Sequence, residues 1–266
     1  MAYRPAQRRP KGRPQLANRT FAIGDIHGDL GALNTLLDKL PELDRDDTLV
    51  FLGDYLDRGP HSAQVINKLR VELPESTPAK VVTLMGNHEE AWLKVSEGQM
   101  PNFVLHAGNG CLACYRSFLT QPGSAVQPSI EELKDMLSCK FFPEPVFAWM
   151  KALPYWYEDE HAIYVHAGIQ RVEGEWVHPS KTDDPSRLLW LRSKEFYRFY
   201  NEKRVIVGHT PTQFLPPNLS SYTPDVHDDM WVNESVHVID TGCGKGGFLT
   251  ALELPSVRVY ESRGGA

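Results

Sequence analysis

The stretch TLVFLGDYLDRGP, residues 48–60, changes character at Gly53. Before the glycine stands a run of Val, Leu, Phe and Thr; after it comes a cluster of Asp, Arg, Gly and Pro. An apolar run without alternation reads as a strand covered on both faces, since a half-exposed strand would show a period of two. The polar cluster therefore begins where the strand ends.

The same change recurs in TFAIGDIHGD (20–29), KVVTLMGNHEE (80–90), AIYVHAGI (162–169), RVIVGHTP (204–211) and VHVIDTGCG (236–244). Helical patterns such as DLGALNTLLDKL (29–40) and SAQVINKLRVEL (62–73) lie between several of these runs. Alternating strands and helices predict an α/β layered domain, whose loops at the carboxyl ends of the strands gather on one edge. FLTALEL and SVRVYES, at 248–254 and 256–262, read as an antiparallel addition to the sheet. Residues 91–160 differ, with the helical SIEELKDMLSC (129–139) and the aromatic run FFPEPVFAWMKALPYWYED (141–159), and read as a helical cap insertion.

The bulk numbers agree with one domain over 20–262. The 266 residues are 41% hydrophobic and 23% charged, ordinary values for a globular protein. No apolar run is long enough to span a bilayer and no signal-peptide pattern opens the chain, so a cytoplasmic protein without a membrane partner is expected. The first nineteen residues carry six Lys/Arg and no acid, and read as a disordered basic tail. The remainder holds 22 basic against 34 acidic residues, which argues against a nucleic-acid groove beyond weak contacts of the tail. Four cysteines (111, 114, 139 and 243) suit a reducing compartment, and the lone C-x-x-C at 111–114 is half a zinc site that reads as buried thiols.

The strand-end loops offer Asp25, His27, Asp54, Asn87, His166 and His209. Asp25 and His27, two apart, can reach one ion; Asp54 can divide its oxygens between two ions; Asn87, His166 and His209 would complete the second. An oxygen-and-nitrogen set without thiolate suits manganese, with iron or zinc as alternatives. Two such ions clamp a phosphoryl oxygen and supply hydroxide at neutral pH. Arg58 and Arg192 are candidates for the phosphate oxygens, His88 for the proton that the leaving group needs, and Asp57 for holding that imidazole.

GDIHGD, GDYLDRGP, GNHEE, HAG, VGHT and DTGC, in this order, resemble the calcineurin-like metallophosphoesterases, and more narrowly the bacterial and phage branch of the phosphoprotein phosphatases. LLWLRSKEF (188–196) is similar to that branch's tryptophan-and-arginine segment. The resemblance covers roughly residues 20–255 and implies a four-layer αββα sandwich of two mixed sheets flanked by helices. It implies a first metal on Asp25, His27 and Asp54 and a second on Asp54, Asn87, His166 and His209. It gives His88 the proton-donor role beside Asp57, and Arg58 and Arg192 the phosphate contacts.

His-Ala-Gly occurs twice, at 106–108 and 166–168. His166 follows a buried-strand pattern and is expected at the metal edge. His106 falls only 18 residues after His88, too close for another core strand with its crossover, and is expected in the cap. The expected activity is hydrolysis of phosphoserine or phosphothreonine, with phosphotyrosine a further class, by direct attack of metal-bound hydroxide on a phosphorylated protein or small phosphoester. Dinucleoside tetraphosphate hydrolysis is the alternative, together with small-molecule phosphomonoesterase action. The resemblance favours monoesters, because the dinucleotide group usually lacks the aspartate matching Asp57.

Overall fold

The computed structural model describes residues 18–119, 126–223 and 225–264. Its first half runs β1 (Thr20–Ile23), α1 (Leu30–Lys39), β2 (Thr48–Phe51), α2 (Ser62–Asn67), α3 (Leu73–Ser76) and β3 (Lys80–Thr83). Helices α4 (Asn87–Ser96), α5 (Pro101–Leu105), α6 (Cys111–Ser117), α7 (Ile130–Ser138) and α8 (Glu144–Lys151) follow. The second half holds β4 (Trp156–Glu158), β5 (Ile163–Val165), the small hairpin β6 (Arg171–Val172) and β7 (Glu175–Trp176), α9 (Arg187–Trp190) and α10 (Lys194–Phe199). It closes with β8 (Val205–Val207), β9 (Trp231–Asn233), β10 (Val236–Val238), β11 (Thr250–Leu254) and β12 (Arg258–Glu261).

The strands form two mixed five-stranded sheets, in the orders β12-β11-β1-β2-β3 and β4-β5-β8-β10-β9. Each contains a parallel trio: β1-β2-β3 fills one side of the first sheet, with β11 and β12 added antiparallel beyond β1, and β5-β8-β10 forms the centre of the second, with antiparallel β4 and β9 at its edges. The closing hairpin β11–β12 is antiparallel, as its sequence suggests, and β11 pairs with β1.

Side-chain alternation along the strands divides the core into three apolar layers. Phe21, Ile23, Leu49 and Phe51 point outward from the first sheet, onto Leu33 and Leu36 of α1 and Val65 and Ile66 of α2. Ala22, Val50 and Val82 point the other way and meet Tyr164, Ile206 and Ile239 between the sheets. Val165, Val205, Val207, Val236 and Val238 face outward from the second sheet onto Leu188, Phe196 and Tyr200. Helices, sheet, sheet and helices therefore stack as four layers, which is why the core strands lack polar alternation.

The segment expected as a cap shares the first of these layers. Trp92, Phe103, Tyr115, Met136, Phe142 and Met150 are buried in the same cluster as Phe21 and Phe51, and the segment ends in β4, an edge strand of the second sheet. Its aromatic rings pack edge-on, Trp92 standing 5.3 Å from both Phe141 and Phe142. Most of the predicted basic tail lies outside the described residues. Its last residue, Arg19, is tied to the body by its guanidinium on Asp47 and the carbonyl of Glu42. All four cysteines are free and buried, and no described helix is long and apolar enough to cross a membrane.

His237 sits mid-strand in β10, only 5% exposed, with a buried Nδ1 that has no hydrogen-bond partner. Burial, with Arg204 nearby, pushes it down to about 4. The folded state therefore refuses a proton that the unfolded chain accepts, so this contribution is complete above the ordinary histidine range and is lost as pH falls towards 4. By pH 5 the loss should reach about 2 kcal/mol. Urea unfolding of the wild type and of His237→Leu at pH 7.5 and pH 5 should show a smaller drop in the variant.

Candidate metal centre

Three loops from each sheet, those after β1, β2, β3, β5, β8 and β10, converge on one edge. Two side-chain groups there have ligand atoms within 4.8 Å of one another: His27, Asp54 and His88, and Asp54, His166 and His209. All are buried, and Asp54 belongs to both groups.

Asp54 Oδ2 lies 3.3 Å from His27 Nε2, and Asp54 Oδ1 lies 3.4 Å from His166 Nε2 while accepting the His88 amide at 3.0 Å. On the other side, Asn87 Oδ1 is 2.9 Å from His166 Nε2 and 2.8 Å from His209 Nδ1. Asp25 Oδ2 is 3.8 Å from His27 Nε2, and the Asp25 carboxylate accepts the His209 amide at 3.0–3.1 Å. All six expected ligands are thus brought together. His27 and His166 each turn Nδ1 to a backbone carbonyl, Leu56 and Leu52 respectively at 2.9 Å, leaving Nε2 aimed inward. That is the orienting contact a ligand imidazole needs.

The electrostatics fit cations. Burial first, then Asp240 and Asp54, push the Asp25 carboxyl well above its usual range. Burial and Arg58 push His27 far down; burial and His166 do the same to His209; burial lowers His166 despite Asp54. Burial alone would raise Asp54, but His166, His88, His27 and Arg58 outweigh it and the carboxyl ends lowered. Imidazoles pushed towards the neutral form, beside crowded buried carboxylates and an unpartnered His27 Nε2, form a donor set that a divalent ion would satisfy.

Behind this cluster, His88 Nδ1 is 2.6 Å from Asp57 Oδ2, and Trp92 Nε1 donates to the same carboxylate at 3.0 Å. Burial works against the imidazolium, but Asp54 and Asp57 prevail and His88 is raised. Arg58 keeps Nε and Nη1 buried without a partner. Arg192 is exposed and donates from Nε to His209 Nε2 at 3.1 Å. His106 lies elsewhere, exposed at the end of α5. Asp29 caps α1 through the Ala32 amide, and Asp240 accepts from Gly242, so neither contacts a ligand imidazole by the bonds it makes.

The backbone is bent to make this possible. His27, Asp54, Asp57, Arg58 and His209 all have positive φ, between 47° and 70°, a region costly for residues with a Cβ. Gly208 is required by contact: a Cβ there would stand 2.0 Å from Asp25 Oδ1.

A family model for calcineurin-like phosphoesterases matches residues 19–239. The chain belongs to that family. This phosphoesterase is 25% identical over 256 residues to the asymmetrical bis(5'-nucleosyl)-tetraphosphatase PrpE of Anoxybacillus flavithermus, covering 88% of this chain and 90% of that one. It is 24% identical over 303 residues to the symmetrical bis(5'-nucleosyl)-tetraphosphatase of Nitrosospira multiformis, covering 92% and 96%. A metallophosphoesterase structure from Sphaerobacter thermophilus shares the fold, with a TM-score of 0.52 and 15% identity over 94% of this chain and 89% of that one.

Sequence reasoning passed over Glu89. This fully buried carboxylate accepts the amides of Asp54 and Tyr55 at 2.8 Å and of Gly86 at 3.0 Å, so it locks the loop after β2 to the one after β3. Burial, then Asp54, raise it to about 7. Its neighbour Glu90 takes the Trp190 indole at 2.6 Å and Ser186 Oγ, fastening α9 to the site. The signal was present in GNHEE, since two acids in the first turn of a helix that opens beside a buried loop need donors. Replacing Glu89 by Gln turns an amide N–H₂ towards these donors. Urea unfolding should show a loss of about 3 kcal/mol, with weaker manganese binding by calorimetry in the same variant.

Proposed function

We propose that this phosphoesterase hydrolyses dinucleoside tetraphosphates with two divalent metal ions. The observation that carries the substrate is the alignment of nearly the whole chain with relatives named as bis(5'-nucleosyl)-tetraphosphatases of both the asymmetrical and symmetrical kinds. This supports the alternative from the sequence better than the phosphoserine reading.

Asp25, His27 and Asp54 would hold one ion, and Asp54, Asn87, His166 and His209 the other; manganese suits the set, with iron or zinc as alternatives. Such ions polarise a phosphoryl oxygen and lower the pKa of water nearby. The chain's own residues supply the rest. Arg58 offers a half-buried guanidinium whose Nε and Nη1 donors are unused, and Arg192 a second one anchored on His209. Lys245 adds a third cation: burial lowers its ammonium, and Arg58 and Arg192 repel it. Three cations around one site suit a chain of phosphates.

Asp57 loses its value as a marker of monoesters once its surroundings are considered. It is completely buried and spends its oxygens on His88 and Trp92, so it sets the imidazole and touches no substrate-sized space. A second reading, phosphomonoester hydrolysis, keeps one observation in its favour. The raised His88 is matched to an alkoxide leaving group, which needs a proton more than a departing nucleotide does.

Turnover with manganese should give a higher kcat/KM for diadenosine tetraphosphate than for a phosphoserine peptide or p-nitrophenyl phosphate. The reverse order would establish the second reading. His166→Ala should abolish metal-dependent turnover while His106→Ala leaves it largely intact, and His88→Asn should lower kcat by about 10²–10⁴ for a phosphoserine peptide and by less for diadenosine tetraphosphate.

A further inference from the structure

Arg192 has a second face. Besides its bond to His209 Nε2, it forms one end of a surface groove of about 380 Å³ between α10 and the segment 210–219. That volume is within the range of small-molecule sites, ~300–1,000 Å³. The groove's charged wall residues are Arg192, Lys194 and Arg198, all cations, in a protein of net charge −6. The nearby acid on α10, Glu195, is turned away onto Arg171 at 2.7 Å. The floor is apolar, with Leu215 and Leu219, and at its lip Phe214 leaves 70% of its surface open.

An apolar floor with an exposed ring and an unbalanced cationic rim, running out from the metal centre, matches an anionic ligand with a flat apolar body. We propose that this groove seats one nucleoside of a dinucleoside polyphosphate, its base against Phe214 and its adjoining phosphates along Arg192, Lys194 and Arg198. The inference rests on the tetraphosphate reading above, and it adds where the substrate's far arm lies. A base stacks on an aromatic face whatever its sequence identity, so the site is blind to which purine it holds. Guanidinium groups bind successive phosphate oxygens in the same way.

The test compares kcat/KM for diadenosine tetraphosphate, p-nitrophenyl phosphate and a phosphoserine peptide, with manganese, in the wild type, Phe214→Ala, Phe214→Tyr and Arg198→Ala. Phe214 and Arg198 are exposed, so folding should be undisturbed, and circular dichroism checks it. The ratio of dinucleotide to p-nitrophenyl phosphate kcat/KM should fall about 10-fold in Phe214→Ala and be kept by Phe214→Tyr, with a smaller fall in Arg198→Ala. A ratio that moves less than about 2-fold in Phe214→Ala and Arg198→Ala, in an enzyme whose wild type prefers the dinucleotide, overturns the groove assignment alone. A selective fall for the peptide overturns it in favour of a peptide-binding groove. A wild type that prefers the peptide overturns the tetraphosphate reading, and the groove assignment with it.

Discussion

The carboxylate of Asp54 is buried among three imidazoles, and the rest of the site is arranged around keeping it there. Its oxygens are the only ones common to both ligand groups, so the two halves of the site can cooperate only if its loop is held still. Glu89 does this by accepting the amides of Asp54 and Tyr55 within that loop and of Gly86 in the loop after β3. Helix α4 therefore serves the centre several times over. Asn87 bridges the second ligand group, His88 faces Asp57, Glu89 fixes Asp54, and Glu90 brings in α9 just ahead of Arg192. Four successive side chains on a helix point in four directions, and here each finds a different element of the site.

This explains why so much could be read from the sequence. A strand buried on both faces must be apolar throughout, so its end is conspicuous, and the expected ligands stand at those ends. His166 and His106 share a tripeptide, yet only the first follows such a strand. The position of the helical segment 91–160 was harder to read, because periodicity tells which face of a helix is apolar but not what covers it. Trp92, Phe103 and Phe142 could have closed over the site from outside; they instead complete the first sheet's outer layer, with the Phe103 ring edge-on to His88 at 5.1 Å. Glu89 escaped notice for a related reason. An acid in the first turn of a helix usually faces water, and only the approach of the β2 loop removes that water.

Substrate choice was the least legible feature. On the proposed reading, the six residues gathered at the strand ends would recognise what all phosphoesters share, and the bonded pair Asp57 and His88 would concern the leaving group. On the groove proposal, discrimination falls to residues further out: Arg192 in the link before α10, Lys194 and Arg198 on α10, and Phe214 in the loop after β8. Those residues are spread over two segments with no pattern of their own, and only the fold makes them neighbours.

The positive φ values at His27, Asp54, Asp57, Arg58 and His209 also bear on how this protein could be improved or could drift. Each is a place where glycine would relax the backbone, and each carries a side chain that the proposed centre would use. A selection for heat resistance alone would reward erasing them. Long survival of the intact set in a lineage would therefore be a record of continuous use, legible without knowing the substrate.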